Sequence, residues 1–183
     1  MVQEEALKPI IELLNKLHIP YMLVGSIAVN YYSVPRLTHD ADLVIQIQPM
    51  HIDDLVKSLE SKFYADSLMI EEALISSGQF NFIHFDTGFK IDFWILKKDK
   101  FSQSQFSRRI SGKIFAQDAF IISSEDLILN KLSWFKESDI QKHFLDALGV
   151  YRMQKEALDA AYLHKYADEL NLIEILCKLE KEV

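Results

Sequence analysis

The sequence contains one cysteine, Cys177, in 183 residues. That excludes an intrachain disulfide and a thiolate cage for zinc, and it fits a reducing compartment, so the cytoplasm is the expected location. Glycine and proline are also scarce, at 5 and 4 residues beside a hydrophobic share of 49%, which excludes the composition of a disordered chain. No apolar run approaches the ~20 residues of a membrane span. The opening "MVQEEALKPIIELL" carries acidic residues where a signal peptide carries basic ones. An excess of positive charge is missing too: 27 Asp and Glu against 20 Lys and Arg leave a formal charge of −7. Broad, salt-driven binding to nucleic acid is therefore not expected, although a local basic pocket remains compatible with this balance. The glycine patterns of P-loop and Rossmann sites, GxSxG and a Cys-His pair are all absent, which removes the common catalytic competitors.

What is present is enough chain for one well-cored domain with a helical annex. Leu7, Ile10, Ile11, Leu14 and Leu17 recur at helical spacing and predict a helix over 4–17, broken by "HIP". Tyr21 to Val24 reads as a short buried strand that stops at Gly25-Ser26, followed by a helix over 28–32. Asp40 to Ile47 reads as a second strand with Asp40, Asp42, Val44 and Gln46 on one face. Helices are expected over 52–62 and 67–77. "FNFIHFDTGFKIDFWIL" reads as a hairpin turning at "DTG", with Lys90, Asp92 and Trp94 on one face. Extended chain around 113–122 leads to Ser123 or Ser124 as the cap of a helix, and the rest reads as helical. The expected fold is thus α/β (α+β), a mixed β-sheet flanked by helices over 1–123 and an α-helical subdomain over 124–183, with the active site in the cleft between them.

Two carboxylates one residue apart in a strand need an explanation, because Asp is a poor strand former and like charges on one face repel. Asp92 sits inside another strand that could join the same sheet. Three converging carboxylates become stable around one or two Mg²⁺ ions, with Mn²⁺ as a substitute, since both take hard oxygen ligands. Two such ions orient a nucleoside triphosphate and activate the attacking oxygen, and Asp92 suits the role of base or of ligand on the nucleophile side. Gly25-Ser26 supplies a strand-to-helix turn whose backbone N–H groups face phosphate oxygens. Lys90 is a candidate nucleotide ligand whose competing reading is an ion pair with Asp92. Arg36 and Thr38 read as loop-shaping residues, His39 lacks a spaced partner for zinc, and Trp94, Trp134 and the 12 Phe read chiefly as core.

The motifs "YMLVGS", "DAD" and "KIDF" resemble the signature of the nucleotidyltransferase superfamily: a strand ending in Gly-Ser, a helix, Asp-x-Asp on the next strand, and a third Asp. The stretches "SVPRLTHDADLVI", "FNFIHFDTGFKIDFWIL" and "SEDLILNKLSWF" are similar to the AbiEii-like group of small bacterial nucleotidyltransferases. The resemblance covers most of residues 20 to 150, and the 13 residues between Ser26 and Asp40 match this group rather than the most compact members. It implies that Asp40, Asp42 and Asp92 bind metal and carry catalysis, that Gly25 and Ser26 hold the triphosphate, and that Lys131 reaches a phosphate from the helical half. Asp146 matches an acidic position of that half. The implied partners are an NTP and an acceptor hydroxyl on tRNA, protein or a small molecule. Phosphoryl transfer, nucleotide binding without turnover, and a toxin role with a cognate antitoxin stand as alternatives.

Overall fold

Alternation between apolar and polar residues shapes the centre of the chain. In the computed structural model, which describes residues 2–183, Asp40–Ile45 forms strand β2 with Ala41, Leu43 and Ile45 buried and the residues between them half-buried. Tyr21–Val24 forms β1, buried along its whole length, as a strand covered on both faces must be. Gln79–His84 (β4) and Lys90–Ile95 (β5) form an antiparallel hairpin around the "DTG" turn, where Gly88 adopts a φ of +66°. Two short pairs complete the sheet: Phe63–Tyr64 (β3) beside β4, and Ile110–Ile114 (β6) with Gln117–Ile121 (β7). The seven strands lie in the order β3-β4-β5-β2-β1-β7-β6. β2 runs parallel to β5 and β1 parallel to β7, and the remaining pairs are antiparallel.

The chain divides into two compact units. The first runs to Ile27 and from Leu37 to Ile121, and it holds the whole sheet. Helix α1 (Val2–Lys16) buries Leu7, Ile10, Ile11 and Leu14 and packs against β7, where Asn15 donates to the Asp118 carbonyl at 2.7 Å. Each such side chain contributes about 1.5–3 kcal/mol on burial. The short α2 (Gly25–Tyr32) begins in this unit. α3 (Ile52–Leu59), α4 (Ser67–Ser76) and α5 (Lys100–Ser107) also belong to it, with Asp66 and Asp99 capping the last two through backbone N–H groups. One face of the hairpin is apolar, with Phe80 stacked on Phe93 at 4.8 Å beside Phe82. β3 and α5 are additions to the elements expected from sequence.

The second unit comprises Ala28–Arg36 and Ile122–Val183. Helix α6 (Ser124–Ser138) starts at the expected cap: Ser123 accepts from the Asp126 N–H. The Asp126 carboxylate, fully buried, accepts from the Ser123 hydroxyl at 2.8 Å and from the Tyr162 hydroxyl at 2.7 Å. That joins α6 to α8 (Ala160–Glu169), while α7 (Gln141–Gln154) and α9 (Ile173–Lys181) complete the helical set. Tyr32 donates to the Ile122 carbonyl at 2.7 Å, and burial first of all holds its phenol protonated. Among the described residues no helix is long and apolar enough to cross a membrane.

Candidate active site

Strand register brings the predicted carboxylates together. Because β2 and β5 are parallel neighbours, Asp40 lies opposite Lys90 and Asp42 opposite Asp92, all four on one face. The hairpin extends this row, with Asn81 of β4 opposite Asp92 and Gln79 opposite Trp94. On the other side Val24, the last residue of β1, lies opposite Asp42. The turn that follows therefore begins beside the Asp42 carboxylate.

Gly25 shows how close that approach is. Its φ is +60°, and a Cβ added to it would fall on Asp42 Oδ2 and lie 3.0 Å from Cγ. Both facts select glycine: the left-handed backbone disfavours a side chain, and the carboxylate fills the space a methyl would need. α2 starts at this residue and has no acidic side chain in its first turn, so its positive end is not neutralised by a neighbouring carboxylate on the same turn. Ser26 is buried next to it.

The other side chains fix the carboxylates in place. Thr38 donates its hydroxyl to Asp40 Oδ1 at 2.7 Å and also lines a cavity of about 370 Å³ with His39, Thr87 and Phe89. Asp92 is 8% exposed, and the Lys90 ammonium sits 2.8 Å from its Oδ2. The Lys90 pKa is raised, first by the hydrogen bond to Asp92; burial opposes it, and the charges of Asp92, Asp40 and Asp42 add to it. All three carboxylates thus act on one ammonium. Trp94 is 42% exposed rather than core, since it shares the face of Lys90 and Asp92, and its indole Nε1 approaches Asp42 Oδ1 at 3.5 Å. Among the described residues no three His, Cys, Asp or Glu side chains are gathered closely enough to hold a metal ion as they stand.

Lys131 belongs to the second unit, as do Arg36 and Asp146. Arg36 clamps Asp146 with two hydrogen bonds, Nε to Oδ1 at 3.0 Å and Nη2 to Oδ2 at 2.9 Å, and Lys131 reaches Oδ2 at 2.9 Å with its side chain 3% exposed. Burial pushes the Asp146 carboxyl upward, but the Arg36 hydrogen bonds and the Lys131 charge outweigh it and hold the group below the usual carboxylate value. Arg36 is also tied to Asn30 of α2: its backbone N–H donates to Asn30 Oδ1 at 3.0 Å, and its carbonyl accepts from Asn30 Nδ2 at 2.8 Å. The partners of Asp92 across the hairpin could have been found by counting back from "DTG" to Asn81. Nothing local in the sequence pairs Arg36 with a residue 110 positions away.

No known family profile and no curated protein matches the sequence. Solved structures do. The lincosamide antibiotic adenylyltransferase LnuA, bound to lincomycin, superposes with a TM-score of 0.54 at 14% identity, covering 82% of this chain and 97% of that one. The antibiotic-resistance factor ANT(2'')-Ia gives 0.57 at 16% identity over 91% and 94% of the two chains. An antigenic nucleotidyltransferase-like protein from Paracoccidioides brasiliensis gives 0.59 at 19% identity over 97% and 91%. Sheet, strand order and neighbours agree with the sequence motifs: this chain has the nucleotidyltransferase fold.

Proposed function

We propose that the protein is a nucleotidyltransferase, moving a nucleotidyl group from an NTP to an acceptor hydroxyl. The observation that carries this reading is the register of Asp42 with Asp92 on adjacent parallel strands, with the Gly25 turn closed onto Asp42. Oxygen-only donors suit a hard divalent ion, Mg²⁺ or Mn²⁺, which Asp40, Asp42 and Asp92 would hold once drawn closer together than they stand here. Such an ion, when bound, neutralises polyphosphate charge and lowers the barrier to attack at phosphorus. The chain's own groups do the rest. Backbone N–H groups at Gly25 and Ser26 hold the triphosphate at the start of α2. Asp92 takes the acceptor proton as the acceptor oxygen bonds to the α-phosphorus. The bond from that phosphorus to the bridging oxygen breaks, and pyrophosphate leaves with the electron pair. Lys131 is committed to Asp146 within the second unit, a pair whose burial makes it costly to break.

Two of these similar structures hold antibiotics, LnuA with lincomycin and ANT(2'')-Ia with adenylyl-2''-tobramycin, which supports a small-molecule hydroxyl as the first acceptor class to assay. Incubation with α-labelled and γ-labelled NTPs, with panels of small polyhydroxyl compounds, tRNA and the protein itself, tests the reaction. Transfer of α-label with pyrophosphate release is expected, and it should vanish in Asp42→Asn and Asp92→Asn. Transfer of γ-label alone would replace the reading with phosphoryl transfer. A second reading, nucleotide binding without turnover, is favoured by one observation, the closure of Lys90 on Asp92, the carboxylate proposed as base. Labelling of no acceptor by any NTP would bring it forward.

A further inference from the structure

The positive charge that the carboxylate row demands is already present within the chain. Lys90 stands opposite Asp40 in the strand register, two residues before Asp92, and bonds Asp92 Oδ2 at 2.8 Å. Its side chain is 47% exposed. A four-carbon stem anchored at the rim of the site can swing away without opening the core, whereas Lys131, at 3% exposure, cannot.

We propose that Lys90 is an internal counter-ion, which holds Asp92 while no divalent ion is bound, gives way when one binds, and then serves the polyphosphate of the nucleotide. This rests on the reading of Asp40, Asp42 and Asp92 as a divalent-ion site. The ammonium and the metal ion want the same oxygen. An ion binding alone must break the 2.8 Å pair and leave the ammonium without a carboxylate in the field of a new cation. When nucleotide arrives with the ion, phosphate oxygens give the ammonium a new partner and the penalty is offset. Ion and nucleotide therefore bind cooperatively, each strengthening the other by the same factor. The strand register supports the exchange, because it sets Lys90 beside Asp40 and within 2.8 Å of Asp92 on the face that also carries Asp42.

Calorimetry with Mn²⁺ alone, and again with a non-hydrolysable α,β-methylene analogue of ATP, tests the exchange. Lys90→Gln and Lys90→Met should bind Mn²⁺ alone about three- to tenfold more tightly than wild type, in keeping with the loss of one competing ion pair. The gain in ion affinity that the nucleotide confers should shrink by a similar factor. Lys90→Arg, which keeps the charge, should bind Mn²⁺ alone as wild type does. Lys113→Met removes one charge from an exposed pair with Asp118 and should leave Mn²⁺ affinity unchanged. Equal or weaker ion affinity in both neutral Lys90 variants overturns the exchange while leaving the metal site standing. An equal gain in Lys113→Met reduces the effect to net charge and overturns it as well. If neither wild type nor the Lys90 variants bind Mn²⁺ with or without nucleotide, the metal-site reading falls and takes this one with it.

Discussion

A single missing methyl group lets the Gly25 turn close onto the acidic strand. Gly25→Ala would place its Cβ against the Asp42 carboxylate while holding a φ of +60°. A left-handed non-glycine residue costs about 1–2 kcal/mol, and the short Asp42 side chain must also move. The expected outcome is a melting temperature lower by several degrees, together with loss of the stabilisation by Mg²⁺-ATP that the proposed function predicts for the wild type. A thermal-shift series with and without Mg²⁺-ATP checks both, and an unchanged nucleotide response would separate the turn from the site. At this scale the sequence was legible where chemistry is local. Gly25-Ser26, Asp40 and Asp42 announce themselves by type and spacing. Trp94 misled because a large aromatic in an apolar strand resembles core, and only the strand face it shares with Lys90 and Asp92 reveals that it borders the carboxylates.

Among the elements, the β6–β7 hairpin is the instructive case. Its two-residue turn, Phe115-Ala116, has positive φ at both positions, 48° and 63°. Such turns normally announce themselves by Asn-Gly or Asp-Gly; here the signal is absent, so the stretch reads only as extended chain. Replacing Ala116, which is exposed, by Gly removes the steric cost of one left-handed residue and touches no packing. The fold should gain about 1 kcal/mol, or a rise in melting temperature of about 2–4 °C for a chain of this size, measurable by calorimetry. No gain would mean that the unfolded chain's added freedom cancels the relief. Helix α5 escaped notice for a related reason: "KFSQSQFS" has little apolar periodicity and is held by Asp99, which accepts from the Ser102 N–H and hydroxyl at 2.9 and 2.7 Å. The β4–β5 hairpin and the capped α6, by contrast, could be read directly, because alternation and the Ser123 cap are local signals.

For the whole molecule, the second unit depends on a charge cluster that acid should dissolve. The Asp146 carboxyl is held below its ordinary value in the folded state, so its contribution is complete above the unfolded value of ~3.9 and is lost as pH falls through the lower folded value. Asp146→Asn leaves two buried or half-buried cations short of their carboxylate and should cost about 3–5 kcal/mol at pH 7. The gap to wild type should narrow as pH falls below ~3.9 and close only below the depressed folded value, where both chains lack the charge; urea melts over a descending pH series from pH 7 measure it. A gap that persists in acid would assign the loss to packing. The unit's two sequence segments also set a timetable. Residues Ala28–Arg36 leave the ribosome early, yet their partners in the unit, such as Asp146 for Arg36 and Gln154 for the Tyr32 carbonyl, come only after Leu37–Ile121 has been made. At roughly 5–20 residues per second that delay is about 4–17 s. During synthesis this segment waits for partners that the ribosome has yet to make, and a chain cut short after residue 121 would never receive them.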